Sequence, residues 1–380
     1  MKKFIKLLSF IVVSILSISA VNFISASAET QFKSKSCYLY DFNSKTEILA
    51  YNENQRLPIA SMTKIMLLDL VYENLNSNNL TLDESVIISK NASSMGGSQV
   101  FLEEGGSYTV SDLIKSVTVA SANDASVALA ERLYGSEDEC VKKMNEKAQA
   151  LNLKNTLFSN CTGLPKPMQY SSAKDITMIF ADLIKNEGYF EYSKIWMDKI
   201  NHSKNHTEIS NTNKLVKFYS GCDGGKTGYT SEAGFCLTAT AKRGNMRLIS
   251  AVIGAPDSKT RFAESSNLLN TGFNLYESKA VFDKNIPIEQ EVSVNGGKIK
   301  NIELYPQNDF YVFCKKNNKD VIEFDYVFDS AVAPISKGDV LGYAIVYKNG
   351  VEVGKVNLVS NQDIDKMSYF DYVLEISKRW

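Results

Sequence analysis

The sequence predicts an α/β (α+β) domain, a five-stranded antiparallel sheet with helices on its faces, followed by a small all-β domain. Three observations predict it. Two strand-like runs occur near residue 40, and three more return after residue 223. A long stretch of helical periodicity separates the two groups. After about Lys284 apolar and polar residues alternate between hairpin dipeptides.

The elements follow in order. "CYLYDFNSKTEILAYN" (37–52) is two strand-like runs around an Asn-Ser turn. From Ser61 to about Tyr192 the pattern is mainly helical, with Ile65, Leu68 and Val71/Tyr72 at helical spacing. "VSDLIKSVTVA" (110–120) has Ser111 near its start as a cap, and "DASVALAERLYG" (124–135) ends at Gly135. "SSAKDITMIFADLI" (171–184) opens with Ser172 and Asp175 in capping-box-like spacing. "GGKTGY", "FCLTATA" and "MRLISAVIGA" read as an antiparallel meander, and "RFAESSNLLNTGFNLY" (261–276) as a helix. Two strands first and three last close one sheet with both chain ends.

The expected divisions are 1–28, 29–280, 281–362 and 363–380. The first has Lys2, Lys3 and Lys6, an apolar run to Ile24 and Ala26-Ser27-Ala28, which reads as a secretory signal peptide; an uncleaved anchor is the alternative. Its removal moves the formal charge from -1 to -4, since three lysines and no acid are lost. The third division takes Asn295-Gly296 and Asn349-Gly350 as hairpin turns and carries no chemistry of its own. In the fourth, Met367, Phe370, Val373/Leu374 and Trp380 share one helical face beside Lys378 and Arg379. That pattern suits a membrane-interface tail, or a helix docked on its own β-domain.

Composition bounds the function. The chain is 44% hydrophobic and 22% charged, a globular balance, and its charge gives no footprint for nucleic acid. Six cysteines are scattered without metal-binding spacing; Cys222 and Cys236 flank a predicted hairpin and are the candidate pair for a bridge. The two histidines, His202 and His206, have i, i+4 spacing in "NHSKNHTE" but lack the glutamate of a zinc helix, so they read as a solvated loop or surface helix.

If the chain is a serine hydrolase, so little histidine points to lysine as its base. Ser61 and Lys64 lie three apart in "LPIASMTKIMLLDL", one turn from each other on a helix, where burial can strip the lysine of its proton. The spacing alone is not specific, since Ser171-Ser172-Ala173-Lys174 repeats it. Two further stretches sharpen it: "VASANDAS" with Ser121 and Asn123 in a turn between helices, and "DGGKTGYT" with Lys226, Thr227 and Gly228 on an edge-like strand. S-x-x-K, an S-x-N triplet and K-T-G in that order are the signature of penicillin-binding proteins and class A β-lactamases.

The chain resembles the low-molecular-mass D-alanyl-D-alanine carboxypeptidases from about residue 35 to 275. "PIASMTKIM", "SANDASVALAE", "NTLFSNCTGL", "YSSAKDI", "GGKTGYTSEAGFCLTATA" and "RFAESSNLLNTGF" carry the resemblance in family order. It implies the penicillin-recognising fold, with the β-domain and tail in the family's usual layout. It also implies Ser61 as acylated nucleophile, Lys64 as base, Ser121 as proton relay and Asn123 as holder of Lys64 and the substrate amide. Lys226 would supply positive charge near Ser121. Thr227 and Arg261 would receive the terminal carboxylate, Gly228 completes the triplet, and the N–H groups of Ser61 and Tyr229 would form the oxyanion hole. Some members carry histidine where this chain has Tyr229.

The implied substrate is a peptidoglycan stem peptide ending in D-Ala-D-Ala, with β-lactams as acylating mimics and an extracytoplasmic location; no metal or organic cofactor is implied. The alternatives are a β-lactamase or esterase of the same fold, or a silent wall-binding or penicillin-sensing protein. Between Glu146 and Asp175 there is no acidic residue, which argues against the deacylating glutamate of class A β-lactamases. Intact Ser61, Lys64, Ser121, Asn123 and Lys226 argue against a silent binder.

Overall fold

The computed structural model describes residues 32–377; the signal-like segment and Lys378, Arg379 and Trp380 of the tail lie outside them. Hairpin strands β1 (Ser36–Asp41) and β2 (Thr46–Tyr51) come first. A 3-10 turn, Ala60–Thr63, then feeds helix α1 (Lys64–Asn76). From Lys64 to Tyr72 every residue of α1 is buried, so it is a core helix rather than a one-sided amphipathic one. Two small hairpins interrupt the helical region: β3 (Ser85–Ile87) with β4 (Ser107–Thr109), and β5 (Met197–Asn201) with β6 (His206–Ser210). The meander follows as β7 (Cys222–Thr230), β8 (Gly234–Arg243) and β9 (Met246–Ala255).

These strands form one sheet in the order β2-β1-β9-β8-β7, antiparallel throughout. Both chain ends of the domain close it, as the sequence predicts. β7 is an edge, so its outer N–H and C=O row is open to another extended chain. The register corrects the candidate disulfide. Cys222 faces Ala241 and Cys236 faces Gly228, so the two lie roughly 20 Å apart along the hairpin, far beyond bridging reach. All six cysteines are free and buried.

The caps follow local chemistry. Helix α2 (Val110–Lys115) is capped by Thr109, whose hydroxyl accepts from Asp112 N, and not by Ser111, whose hydroxyl meets that of Tyr192 at 2.8 Å. A π-turn (Ser116–Ala120) continues α2 and ends at Ser121 with φ 62°. Helix α3 (Asn123–Tyr134) stops at Gly135 with φ 80°, where glycine meets no steric cost. Helix α4 is Glu137–Ala150. Ser172 caps α5 (Ala173–Leu183), but the Asp175 carboxylate accepts from Asn155 N and Thr156 Oγ1 instead of closing a reciprocal box. Helix α6 (Ser258–Leu275) ends the first set of elements.

The later strands are β10 (Tyr276–Phe282), β11 (Glu291–Ser293), β12 (Asn301–Pro306), β13 (Phe310–Lys315), β14 (Ile322–Phe328), β15 (Val340–Lys348) and β16 (Val351–Ser360). β10 pairs with β13, and the others form a sheet ordered β11-β12-β16-β15-β14 over a separate core. Asn349-Gly350 is a tight hairpin with both φ positive. Asn295-Gly296 is not; it lies in the longer β11–β12 connection, where Asn295 bridges to Val332. Helix α7 (Tyr369–Ser377) exposes Phe370 and Leu374. Met367 is buried, so it does not join that exposed face.

Candidate active site

Ser61 sits in the 3-10 turn just before α1. No side-chain cap closes either that turn or α1, so the serine is not there as a cap. Ala60 holds φ 48°, a conformation costly for alanine. Two glycines press on this strained corner. A Cβ at Gly163 would stand 2.1 Å from Ala60 O and 2.8 Å from Ser61 N. A Cβ at Gly228 would stand 2.5 Å from Ile59 O. Only glycine allows both backbones to approach the serine this closely.

Lys64 is fully buried one turn later. Its Nζ lies 3.2 Å from Ser61 Oγ and donates to Asn123 Oδ1 at 2.6 Å and to the carbonyl of Thr162. Burial depresses its pKa to about 7; the Asp124 carboxylate opposes the shift without cancelling it. Asn123 is fixed at both ends, since its Nδ2 donates to Gly96 O at 2.7 Å and its backbone N to Ser98 O. Asp124, fully buried, accepts from Val100 N and Leu102 N and so ties the 96–102 loop to the start of α3.

The left-handed turn at Ser121 aims its hydroxyl at β7, where Lys226 Nζ donates to it at 2.7 Å. Lys226 also donates to its neighbour's carbonyl at Thr227 (3.1 Å). Burial, then the nearby Lys64 and Arg261, push the Lys226 pKa well below the ordinary lysine value. Thr227 is buried on the same strand. Tyr229 projects outward, with its ring 4.3 Å from that of Phe235. Arg261, on α6, reaches the strand but spends Nη1 on the carbonyls of Gly228 (3.1 Å) and Cys236 (3.3 Å).

All nine residues singled out from the sequence therefore gather at the start of α1, at the Ser121 turn and start of α3, and on or directly behind edge strand β7. A family model described as D-alanyl-D-alanine carboxypeptidase matches residues 23–257, more than half of the chain. The chain belongs to the D-alanyl-D-alanine carboxypeptidase family. A second model, penicillin-binding protein 5, C-terminal domain, matches residues 276–366. The chain is 39% identical to the D-alanyl-D-alanine carboxypeptidase DacF of Bacillus subtilis, covering 93% of this chain and 91% of that one. Penicillin binding protein 5 of Haemophilus influenzae is similar in structure, with TM-score 0.72 and 32% identity over 88% of this chain and 98% of its own. Penicillin binding protein 6B of Escherichia coli gives 0.68 and 29% over 87% and 96%.

Three members of this cluster escape a motif reading. Thr162 accepts from Lys64 through its backbone carbonyl, which no side-chain pattern announces. Gly163 is visible only as a glycine inside "NCTGL", and Asp124 only as an acid beside Asn123. The histidines are elsewhere. His206 faces Asn201 in the β5–β6 hairpin and His202 lies in its turn, with His202 Nδ1 2.7 Å from Tyr108 OH and Nε2 2.8 Å from Thr207 Oγ1.

Proposed function

We infer that the chain is a serine-type D-Ala-D-Ala carboxypeptidase that trims peptidoglycan stem peptides through an acyl-enzyme on Ser61. The observation that carries this is the buried Lys64 amine within reach of Ser61 Oγ. A neutral amine has two N–H groups and one lone pair. Asn123 Oδ1 and Thr162 O accept the two N–H, which leaves the lone pair for the Ser61 proton.

The steps follow. Ser61 Oγ bonds to the carbonyl carbon of the penultimate D-alanine while its proton passes to Lys64. The amides of Ser61 and Tyr229 hold the developing oxyanion, worth about 10²–10³-fold per donor. The C–N bond breaks, and the leaving nitrogen takes a proton through Ser121, which Lys226 orients. Water then cleaves the ester, restores Ser61 and releases the shortened peptide. Thr227 receives the terminal carboxylate. An arriving carboxylate favours the charged form of Lys226, which burial and the neighbouring cations disfavour. Arg261 adds positive charge from behind the strand and fixes Gly228.

β-Lactams acylate the same serine. The 147–174 segment, which reaches Ser61 through Gly163, carries no Asp or Glu, so it delivers no acid for rapid β-lactam hydrolysis. Export by a cleaved signal at 1–28 and work at the outer face of the cell membrane fit the substrate. No described helix is long and apolar enough to cross a membrane. Helix α7 would instead lie in the interface, through exposed Tyr369, Phe370, Leu374 and Ile376. A 365–380 deletion that leaves membrane association unchanged would refute that anchor.

The test of the function is labelling with fluorescent penicillin plus D-alanine release from a pentapeptide. The wild type gives both, and Ser61→Ala gives neither. Equal labelling of both proteins contradicts the nucleophile. Labelling without release contradicts the carboxypeptidase and favours a sensor.

A further inference from the structure

A second cleft, about 530 Å³, is lined by Arg56, Pro58, Lys166, Met168, Tyr170 and Glu232 among others. Three of its lining residues follow or precede site residues closely along the chain. Pro58 is three residues before Ser61, Lys166 three after Gly163, and Glu232 four after Gly228. At about 3.3 Å per residue, the Cα atoms of Lys166 and Glu232 stand within roughly 13 Å of those of the glycines packed against Ser61.

The walls are prebuilt. Gln169 Oε1 accepts from Ser159 N and Asn160 N, and its Nε2 donates to Leu164 O. Pro165 and Pro167 flank Lys166 and stiffen its backbone. Ala233 N donates to Thr230 Oγ1 and closes the turn that presents Glu232. Arg56 is held by Asn155 Oδ1 and Lys154 O, over the Tyr170 ring. Lys166 and Glu232 are exposed and have no ion-pair partner among the described residues. The cleft thus offers one anion, Glu232, and two cations, Lys166 and the hydrogen-bonded Arg56, none of them ion-paired among the described residues.

β7 sets the direction. Lys226 and Thr227 lie at the leaving-group end, so the acyl part of a substrate runs past Tyr229 toward Glu232. The residue before D-Ala-D-Ala then reaches this cleft, its side chain extending about 6 Å beyond its own Cα. The geometry points to a charge-reading subsite: Glu232 takes the primary ammonium of a diamino residue preceding D-Ala-D-Ala, and Lys166 takes a carboxylate on the residue before that. This rests on the carboxypeptidase reading above.

The test compares kcat/KM for Nα-acetyl-L-Lys-D-Ala-D-Ala and its Nε-acetylated form. An exposed charge pair supports about a three-fold preference for the free amine, carried in KM. Glu232→Gln brings the ratio to about one and Glu232→Lys inverts it. Salt of about 0.5 M erases it, because the screening length falls well below the width of the cleft. On the cation side, Lys166→Gln abolishes a similar preference for a γ-D-glutamyl over a γ-D-isoglutaminyl extension. Release from both lysyl peptides at equal rates by the wild type, or a ratio unchanged in Glu232→Gln, overturns the subsite and leaves the enzyme intact. No release from either, with Ser61 still labelled by penicillin, overturns the carboxypeptidase and the subsite together.

Discussion

Ser61-x-x-Lys64 and Ser171-x-x-Lys174 have the same spacing and different surroundings. Lys64 is buried among Ser61, Asn123 and Thr162 O. Lys174 is 42% exposed and pairs with Glu47 at 3.2 Å, while Ser172 caps the helix and Ser171 Oγ meets Thr156 Oγ1. The spacing brings Ser61 and Lys64 to one helical face, whereas Ser171 lies before the cap of α5 and bridges to Leu57. Only the first pair is enclosed by a loop and a strand that remove water. The enclosure, and not the spacing, turns an ammonium into a base.

The largest contrast is in acylation. Ser61→Ala abolishes penicillin labelling, and Lys64→Met slows it by about 10³-fold, within the usual range for losing a positioned base. Lys174→Met leaves the same rate within about two-fold, since an exposed pair carries little. Stopped-flow acylation reads both; a similar loss from the two lysine variants would dissolve the distinction.

The glycines offer the next contrast. Gly163→Ala drives a Cβ into Ala60 O and shifts Ser61 N, for about 10²-fold slower acylation. Gly135→Ala has open space but needs φ 80°, so it costs about 1 kcal/mol in a urea melt and spares the rate. Unchanged acylation in Gly163→Ala would remove the close approach from the mechanism.

Smaller effects come from the supports. Asp124→Asn keeps the shape but weakens the hold on Val100 N and Leu102 N and removes the charge opposing the Lys64 shift. It lowers the acylation rate about three- to ten-fold and moves its pH midpoint down. A midpoint moving up would contradict the sign. Ser172→Ala costs about 1 kcal/mol by loss of a cap, read by denaturant melts, with acylation unaltered.

Much of this was legible in residues. The meander showed in β-branched alternation and short breaks, Gly135 announced its stop, and the three triplets marked the cleft. What escaped was tertiary. Met197–Asn201 and His206–Ser210 are polar runs, and the hairpin they form left no apolar alternation to find. Ser111 looked like a cap because it is a serine at a helix start, yet Thr109 stood two residues earlier with the right extended backbone. Asn295-Gly296 has hairpin composition, but its neighbours pair it with Val332 instead. Thr162 O and the carbonyls that hold Arg261 are backbone atoms, invisible to side-chain chemistry.

The pH dependence of Ser61 acylation tests the central claim most directly. Below the Lys64 pKa the amine is protonated and cannot accept the serine proton, so the rate falls about ten-fold per pH unit. Burial sets that point at about 7, and the rate should level off above it. A rate still climbing toward the ordinary lysine value of 10.5 would mean that Lys64 is an unperturbed ammonium, and would contradict the account.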